Sequence, residues 1–455
     1  LIAESKSHSS LRAILTAACL GFLVVQLDVS VVNVGLGALK NAFGTDLTGL
    51  QWVINSYALP FSALLILGGA WGDKWGAKSV FAAGFAIFTL ASIGCGLADS
   101  MTMLITMRVV QGIGAAFLIP TSLTLIRVSF HDPDARRAAV ALWGACGGIA
   151  LAAGPVIGGL MIEYFGWRSV FLLNIPIGLL AIGLILRYAP ASPRVDKQVD
   201  IPGQISIAIC LASLTYGLTE SSAKGWVIET LAAMAIAMIC AVAFVLIERW
   251  VKHPMLPAHL AKNKVLGSMA LAGAAINLTF YGTVFVFSIY FQTFLHYDAL
   301  KTGLSFFPLT AVLTLSTMLS SRFAKRFSAT RIITTGFTIQ IVGFIALSQT
   351  TSNTSLWLLN GALMLVGIGS AMSVPSITNS MLSSVTQHDA GIASGLMASA
   401  RQLGGVIGVA VFGTMIAHSD KAAFSAGLST AMLFSALVLA LCIAVNLYAA
   451  SARRQ

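Results

Sequence analysis

One carboxylate in this chain stands where a carboxylate is costly. Of the 16 acidic residues among 455, Asp28 alone lies well inside a long apolar run; Glu163, Glu220 and Glu248 lie at run ends and the rest in connectors or tails. A charged group at the centre of a bilayer costs at least ~2.5–3.5 kcal/mol on insertion scales, so Asp28 is expected to face a cavity and to count among the substrate-cavity residues. The chemistry open to it is proton exchange, with the holding of a cation as a second use. The competing reading is a structural hydrogen-bond acceptor that ties helices together. Two cations are placed as oddly: Arg108 some seven residues from one end of a run and Arg401 eleven residues into another. Arg108 can snorkel to the surface, and Gln111 and Gly112 share its helix face one turn on. Arg401 is expected to be structural, pairing with carbonyls or with the opposite half of the molecule.

The runs that hold these residues set the architecture. Hydrophobic residues make up 57% of the chain and charged residues 9%, against about a quarter charged in an ordinary globular domain. That excludes both a water-soluble protein and a disordered one. A helix crosses the hydrocarbon in about 20 apolar residues. Fourteen such runs occur, at roughly 13–36, 49–71, 79–98, 102–126, 138–163, 169–189, 203–221, 227–247, 266–292, 303–320, 332–350, 355–377, 390–416 and 425–448. They are too long and too uniformly apolar for barrel strands. The fold class is an all-α polytopic membrane protein.

Charge sets the orientation. With the N-terminus inside, 20 of the 27 Lys and Arg fall in inner segments and five (Lys40, Arg168, Lys224, Lys301, Lys421) in outer loops. This bias places both termini in the cytoplasm and the chain in the inner membrane. The net charge of +11 is spread over connectors, with no basic, aromatic-studded soluble stretch for nucleic acid. The inner connectors 187–202 and 248–265 hold seven basic residues and are the expected contacts for anionic lipid headgroups. The six cysteines all lie in apolar runs and read as free thiols, and no cleavable signal is visible before the first run. No GxxxxGK[ST] loop occurs and no connector is long enough for a nucleotide-binding domain, so active transport would draw on an ion gradient, without a cofactor.

Short motifs sharpen this. GAWGDKWGAK (Gly69 to Lys78) follows the second run, and KRFSAT with Arg331, a degraded version of the same basic turn, follows the tenth. The two correspond if runs seven and eight are inserted between two six-helix halves, a parallel repeat of the transporter kind. The expected division is 1–190, 191–265 and 266–455, with the two extra helices packed outside, bridging the halves and facing lipid. In order along the chain stand LDVSVVNV (Leu27 to Val34), WVINSYAL (Trp52 to Leu59), RVVQGIGAA (Arg108 to Ala116), GPVIGG (Gly154 to Gly159) and GWRSVFLLNIPIG (Gly166 to Gly178). Together these motifs resemble the major facilitator superfamily, and within it the 14-helix drug:proton antiporter branch. Ala77 departs from the family's loop pattern, where a basic residue is usual.

The resemblance implies roles for the matching residues. Arg108 would lie near the proton path and reset a carboxylate's proton affinity as the cavity opens. Gly154, Pro155, Gly158 and Gly159 would form the motif that accompanies antiport and hence export, although ordinary helix packing is the plainer reading of the same residues. Trp52 and Tyr57 would line the substrate cavity. Tyr281 and Phe285, in an aromatic-rich ninth run, can stack on flat cations or serve only in packing and an interfacial belt. Gly69, Asp73, Lys74, Gly76 and Lys78 would form the inner gate. The connector before the thirteenth run carries no Lys or Arg, and a bare helix N-terminus there can receive Asp73 as a latch; otherwise the loop is a solvated turn that fixes topology. The expectation is a proton-coupled, monomeric antiporter exporting small amphipathic, cationic drugs or dyes by alternating access. The runner-up is an exporter of a specific metabolite, siderophore or lipid, or an inner-membrane pump docked to a periplasmic adaptor.

Overall fold

The computed structural model describes residues 2–190, 200–251, 254–324, 326–351, 354–386, 389–416 and 421–451. Fourteen long helices account for nearly all of them: α1 Ile2–Val34, α2 Leu47–Trp75, α3 Ala77–Gly96, α4 Met101–Ser129, α5 Pro133–Phe165, α6 Asn174–Tyr188, α7 Ile201–Lys224, α8 Ile228–Trp250, α9 Lys264–Ile289, α10 Ala299–Ala324, α11 Ala329–Leu347, α12 Leu356–Leu382, α13 Ala390–Met415 and α14 Lys421–Ser451. Among the described residues, thirteen segments are long and apolar enough to cross a membrane, and Ala299–Leu313 of α10 adds a shorter apolar stretch. The protein is a multi-pass membrane protein.

Helix ends follow local chemistry. Asp46, Ser100 and Asp132 cap α2, α4 and α5 by accepting from Gly49, Met103 and Ala135 amides at 2.9, 3.2 and 2.7 Å. α2 stops at Gly76, whose φ of +94° admits no side chain without strain. A short helix, Leu36–Phe43, follows α1, and a π-helical turn, Tyr290–Phe294, extends α9; both lie at the end of the molecule opposite the loop 72–78.

The pairings between helices repeat. α1 packs on α5 and α6, α2 on α4, and α3 on α4 and α6; α9 packs on α13 and α14, α10 on α12, and α11 on α12 and α14. Adding eight to each helix number of the first set gives the second. The two sets meet along two seams, α5 with α10 and α2 with α13, which exchange under the same operation. α7 packs on both α2 and α13 and so covers one seam, while α8 packs on α7 and leaves Ile236, Met238, Ile239, Val242 and Leu246 exposed. Exposed apolar side chains of this kind suit lipid.

Both seams are tight at the end away from the loop 72–78. A Cβ on Gly159 of α5 would stand 2.8 Å from the Ala299 carbonyl oxygen, and one on Gly303 would collide with that of Pro155. Gln51 Nε2 donates to the Val409 and Ala410 carbonyls at 3.1 Å, and the Gly37 amide donates to Gln292 Oε1 at 2.6 Å. Toward the other end, Gly144 and Gly148 of α5 and Gly391 of α13 have no such neighbour. The halves touch at one end and part toward the other.

Candidate functional site

Four helices bring one polar cluster to the core of the first half. α1 contributes Asp28, α3 Ser92, α4 both Arg108 and Gln111, and α6 Asn174. Arg108 Nη1 makes a short charged hydrogen bond to Asp28 Oδ2. Gln111 Nε2 donates to Asp28 Oδ1 at 2.9 Å and Asn174 Nδ2 to the same oxygen at 3.3 Å. Arg108 also donates from Nε to the Val53 carbonyl at 3.0 Å and from Nη1 to Gln111 Oε1 at 2.8 Å. Ser92 Oγ accepts from Gln111 and Asn174 at 2.9 and 3.3 Å. The Tyr57 ring lies under the guanidinium, 4.3 Å from its carbon. Asp28 and Arg108 are 2% and 1% exposed. A buried ion pair is tolerable only when extra hydrogen bonds satisfy its remaining atoms, and this cluster supplies them.

This seating corrects one expectation, for Asp28, and decides against one of the two readings of Arg108. Asp28 does not face the space between the halves, because Arg108 draws it into the helix bundle. Arg108 does not snorkel, because its charge is answered inside. Ser92 and Asn174 had drawn no attention in the sequence; neutral polar residues in a span carry no signal of their own, although Asn174 lies within GWRSVFLLNIPIG.

A separate, small cavity lies between the halves. Ser30 and Asn33 of α1, Leu151 and Pro155 of α5, Phe280, Tyr281 and Val284 of α9, and Phe306, Leu309 and Thr310 of α10 line it. Asn33 is five residues from Asp28, about 140° round the helix, and this offset turns one residue to the cavity and the other away. Tyr281 lines this cavity. Phe285 does not: it is buried in the second half's core. Tyr57 is fully buried beneath Arg108. Trp52 turns to α7, donating from Nε1 to Glu220 Oε1 at 2.8 Å with its ring 6.1 Å from Tyr216. Glu220 also pairs with Lys224 at 3.2 Å and holds that ammonium above its usual range.

The GPVIGG residues serve both interfaces of α5. Pro155 has no amide to give the Leu151 carbonyl, and Ser30 Oγ of α1 donates to that oxygen at 3.0 Å instead. Side chains at Gly154 and Gly158 would meet Ser30 and Val31 of α1, while Gly159 faces Ala299 and Leu300 across the seam.

In the loop 72–78, Lys78 Nζ donates to the Leu186 and Ala189 carbonyls at 3.0 and 2.6 Å and so caps the C-terminus of α6. Gly76 provides the turn, Gly69 lies 3.6 Å by its would-be Cβ from Pro120, and Asp73 and Lys74 are half-buried and exposed. The N-terminus of α13 is not bare. Asp389 sits at its cap position, accepting from Thr386 Oγ1 at 2.8 Å and standing 3.1 Å from His259 Nε2. Of the basic connector residues, Arg187, Arg249, Lys262 and Lys264 are exposed, whereas Arg194, Lys197 and Lys252 lie outside the described residues. Arg401 donates from Nε to Asn277 Oδ1 at 3.3 Å, within its own half rather than across to the other.

Comparison with known proteins agrees with this architecture. The chain is 32% identical over 441 residues to the methylenomycin A resistance protein of Bacillus subtilis, covering 96% of this chain and 94% of that one. It is also 32% identical to the multidrug resistance protein Stp of Mycobacterium tuberculosis, covering 89% and 75%. A bacterial homologue of the human lysosomal transporter Spinster, solved in an inward-facing and unoccupied conformation, superposes with a TM-score of 0.68 at 16% identity, covering 98% of this chain and 97% of that one. The family profile described as Major Facilitator Superfamily matches residues 18–409. On that match and those identities, this chain belongs to the Major Facilitator Superfamily of transporters, and it is not an enzyme.

Proposed function

We propose that the protein is a proton-coupled exporter of small amphipathic compounds, in keeping with the drug resistance named for its relatives. Residues 1–190 and 266–455 act as the two rocking halves, and 191–265 as an addition outside them. The twenty-to-five distribution of basic residues puts the loop 72–78 and both termini in the cytoplasm. The present state is then closed to the outside, with the exposed basic residues of the connectors against anionic lipid headgroups.

The observation that carries the reading is the two-faced character of α1. Asp28 points into the bundle, while Ser30 and Asn33 point to the cavity. A proton on Asp28 cancels the charge that Arg108 needs. Leaving one member of a buried pair unanswered costs about 3–5 kcal/mol, enough to drive repacking of α1 against α2 and α4. Because α1 also packs on α5 through Ser30 and Gly154, that repacking reaches the seam with α10. Of the two grounds for expecting a cationic cargo, Asp28 is seated under Arg108 and offers a cation no open carboxylate, while Tyr281 lines the cavity.

The test is transport in proteoliposomes under an imposed proton gradient, with ethidium and carboxyfluorescein as probes. Asp28→Asn is expected to abolish gradient-driven movement of whichever probe the native protein carries, while downhill exchange persists. Undiminished gradient-driven transport by that variant would sink the coupling assignment.

A further inference from the structure

Among the described residues, no acid pairs with Arg401, the second guanidinium within an apolar run. Arg401 gives Nε to Asn277 at 3.3 Å, and among the described residues nothing accepts from its two Nη groups. The one acid well inside the apolar runs, Asp28, is taken by Arg108. The groups that the structure places beside Arg401, Asn277, Gly273 and Tyr281, are uncharged. The Tyr281 ring packs on Gly405, one turn along α13 from Arg401, and Tyr281 neighbours both Arg401 and Gln26 of α1. Gln26, Tyr281 and Arg401 are all part-exposed, whereas Asp28 and Arg108 are sealed. Tyr281 also lines the cavity between the halves.

Behind Tyr281, which lines the cavity, therefore stands one cation with no acid against it among the described residues, with two carboxamides nearby. A cation entering there meets a like charge. An anion removes the desolvation penalty of Arg401, and the free Nη1/Nη2 edge matches a carboxylate's two oxygens. We propose that Arg401 anchors the anionic group, a carboxylate, of the transported compound, with its apolar body against Phe280, Tyr281 and Phe306. This rests on the export reading above and names its cargo class as amphipathic acids.

Binding of three pyrene probes to the purified full-length protein in nanodiscs tests it: pyrenebutyrate, its neutral methyl ester and a pyrenebutyl-trimethylammonium. Native protein is expected to bind the butyrate roughly tenfold more tightly than the ester, with the cation weakest. Arg401→Gln should bring the butyrate down to the ester's level without changing ester affinity, and Arg401→Lys should retain the anion preference. Unchanged ester binding certifies the fold of the Gln variant. If that variant is lost, the native probe order and the Lys variant decide. Equal affinity for the three probes, no binding of any, or an anion preference that survives Arg401→Gln overturns the proposal. A carrier driven by a proton gradient but indifferent to probe charge defeats this inference alone. One that prefers the acid but never answers a proton gradient defeats the export reading alone.

Discussion

A guanidinium and a carboxylate that neutralise each other in a helix core make a switch only if one of them can lose its charge without unfolding the bundle. For Asp28 and Arg108 this separates stability from coupling. Asp28→Asn leaves Arg108 unanswered and should lower the unfolding free energy by about 3–5 kcal/mol, whereas the double variant with Arg108→Met, which removes both charges, should recover most of that loss. Chemical denaturation in detergent measures the first effect and gradient-driven transport the second. Recovery of transport along with stability in the double variant would show that the pair is structural. Both members were visible in the sequence because each is a charge in an apolar run. Their pairing was not, since they lie 80 residues apart on different helices and no spacing rule links them. Phe285 and Trp52 illustrate the converse: an aromatic side chain in a span has no charge to betray its direction, so only the packing of α9 and α7 fixes where each points.

At the scale of elements, glycine spacing controls how closely the helices run at the closed end. Gly159 sits against α10 with no room for a side chain, while Gly148, three turns earlier on α5, has open space. Gly159→Val should overpack that seam by about 1–3 kcal/mol and favour its opening, whereas Gly148→Val should not. Spin labels on the short helix Leu36–Phe43 and on the turn Tyr290–Phe294 would read the change as a longer distance population in the first variant only. The loop 72–78 obeys a different rule. Gly76→Ala forces a φ of +94° on a residue with a Cβ and should cost about 1–2 kcal/mol, seen as a lower melting temperature. Removing the Lys78 ammonium should fray the end of α6, detectable as faster amide exchange near Ala189. The helices themselves were readable because about 20 apolar residues admit no other membrane-crossing form. The closed end was not, because close approach depends on which glycine faces which backbone.

The whole molecule is a two-fold repeat with an asymmetric attachment. α7 covers the seam of α2 with α13 and leaves that of α5 with α10 uncovered, and the Trp52–Glu220 hydrogen bond ties it to the first half. Trp52→Phe deletes that bond to a charged acceptor and should weaken α7's attachment by about 1.5–3 kcal/mol, measured as faster amide exchange in α7 with the remaining helices still protected. The two halves differ more deeply in their buried ions. Among the described residues the first holds the Asp28–Arg108 pair and the second Arg401 with no acid against it, so on the proposal above the empty protein would carry one net positive charge through its core. A rocking motion that opens Arg401 first to one face and then to the other carries that charge through the transmembrane field, which does work of about 2.3 kcal/mol per elementary charge per 100 mV. An anion bound there makes the loaded passage electrically silent and leaves the empty return as the voltage-sensitive step. Membrane potential, and not the pH difference alone, would then set how fast the carrier resets.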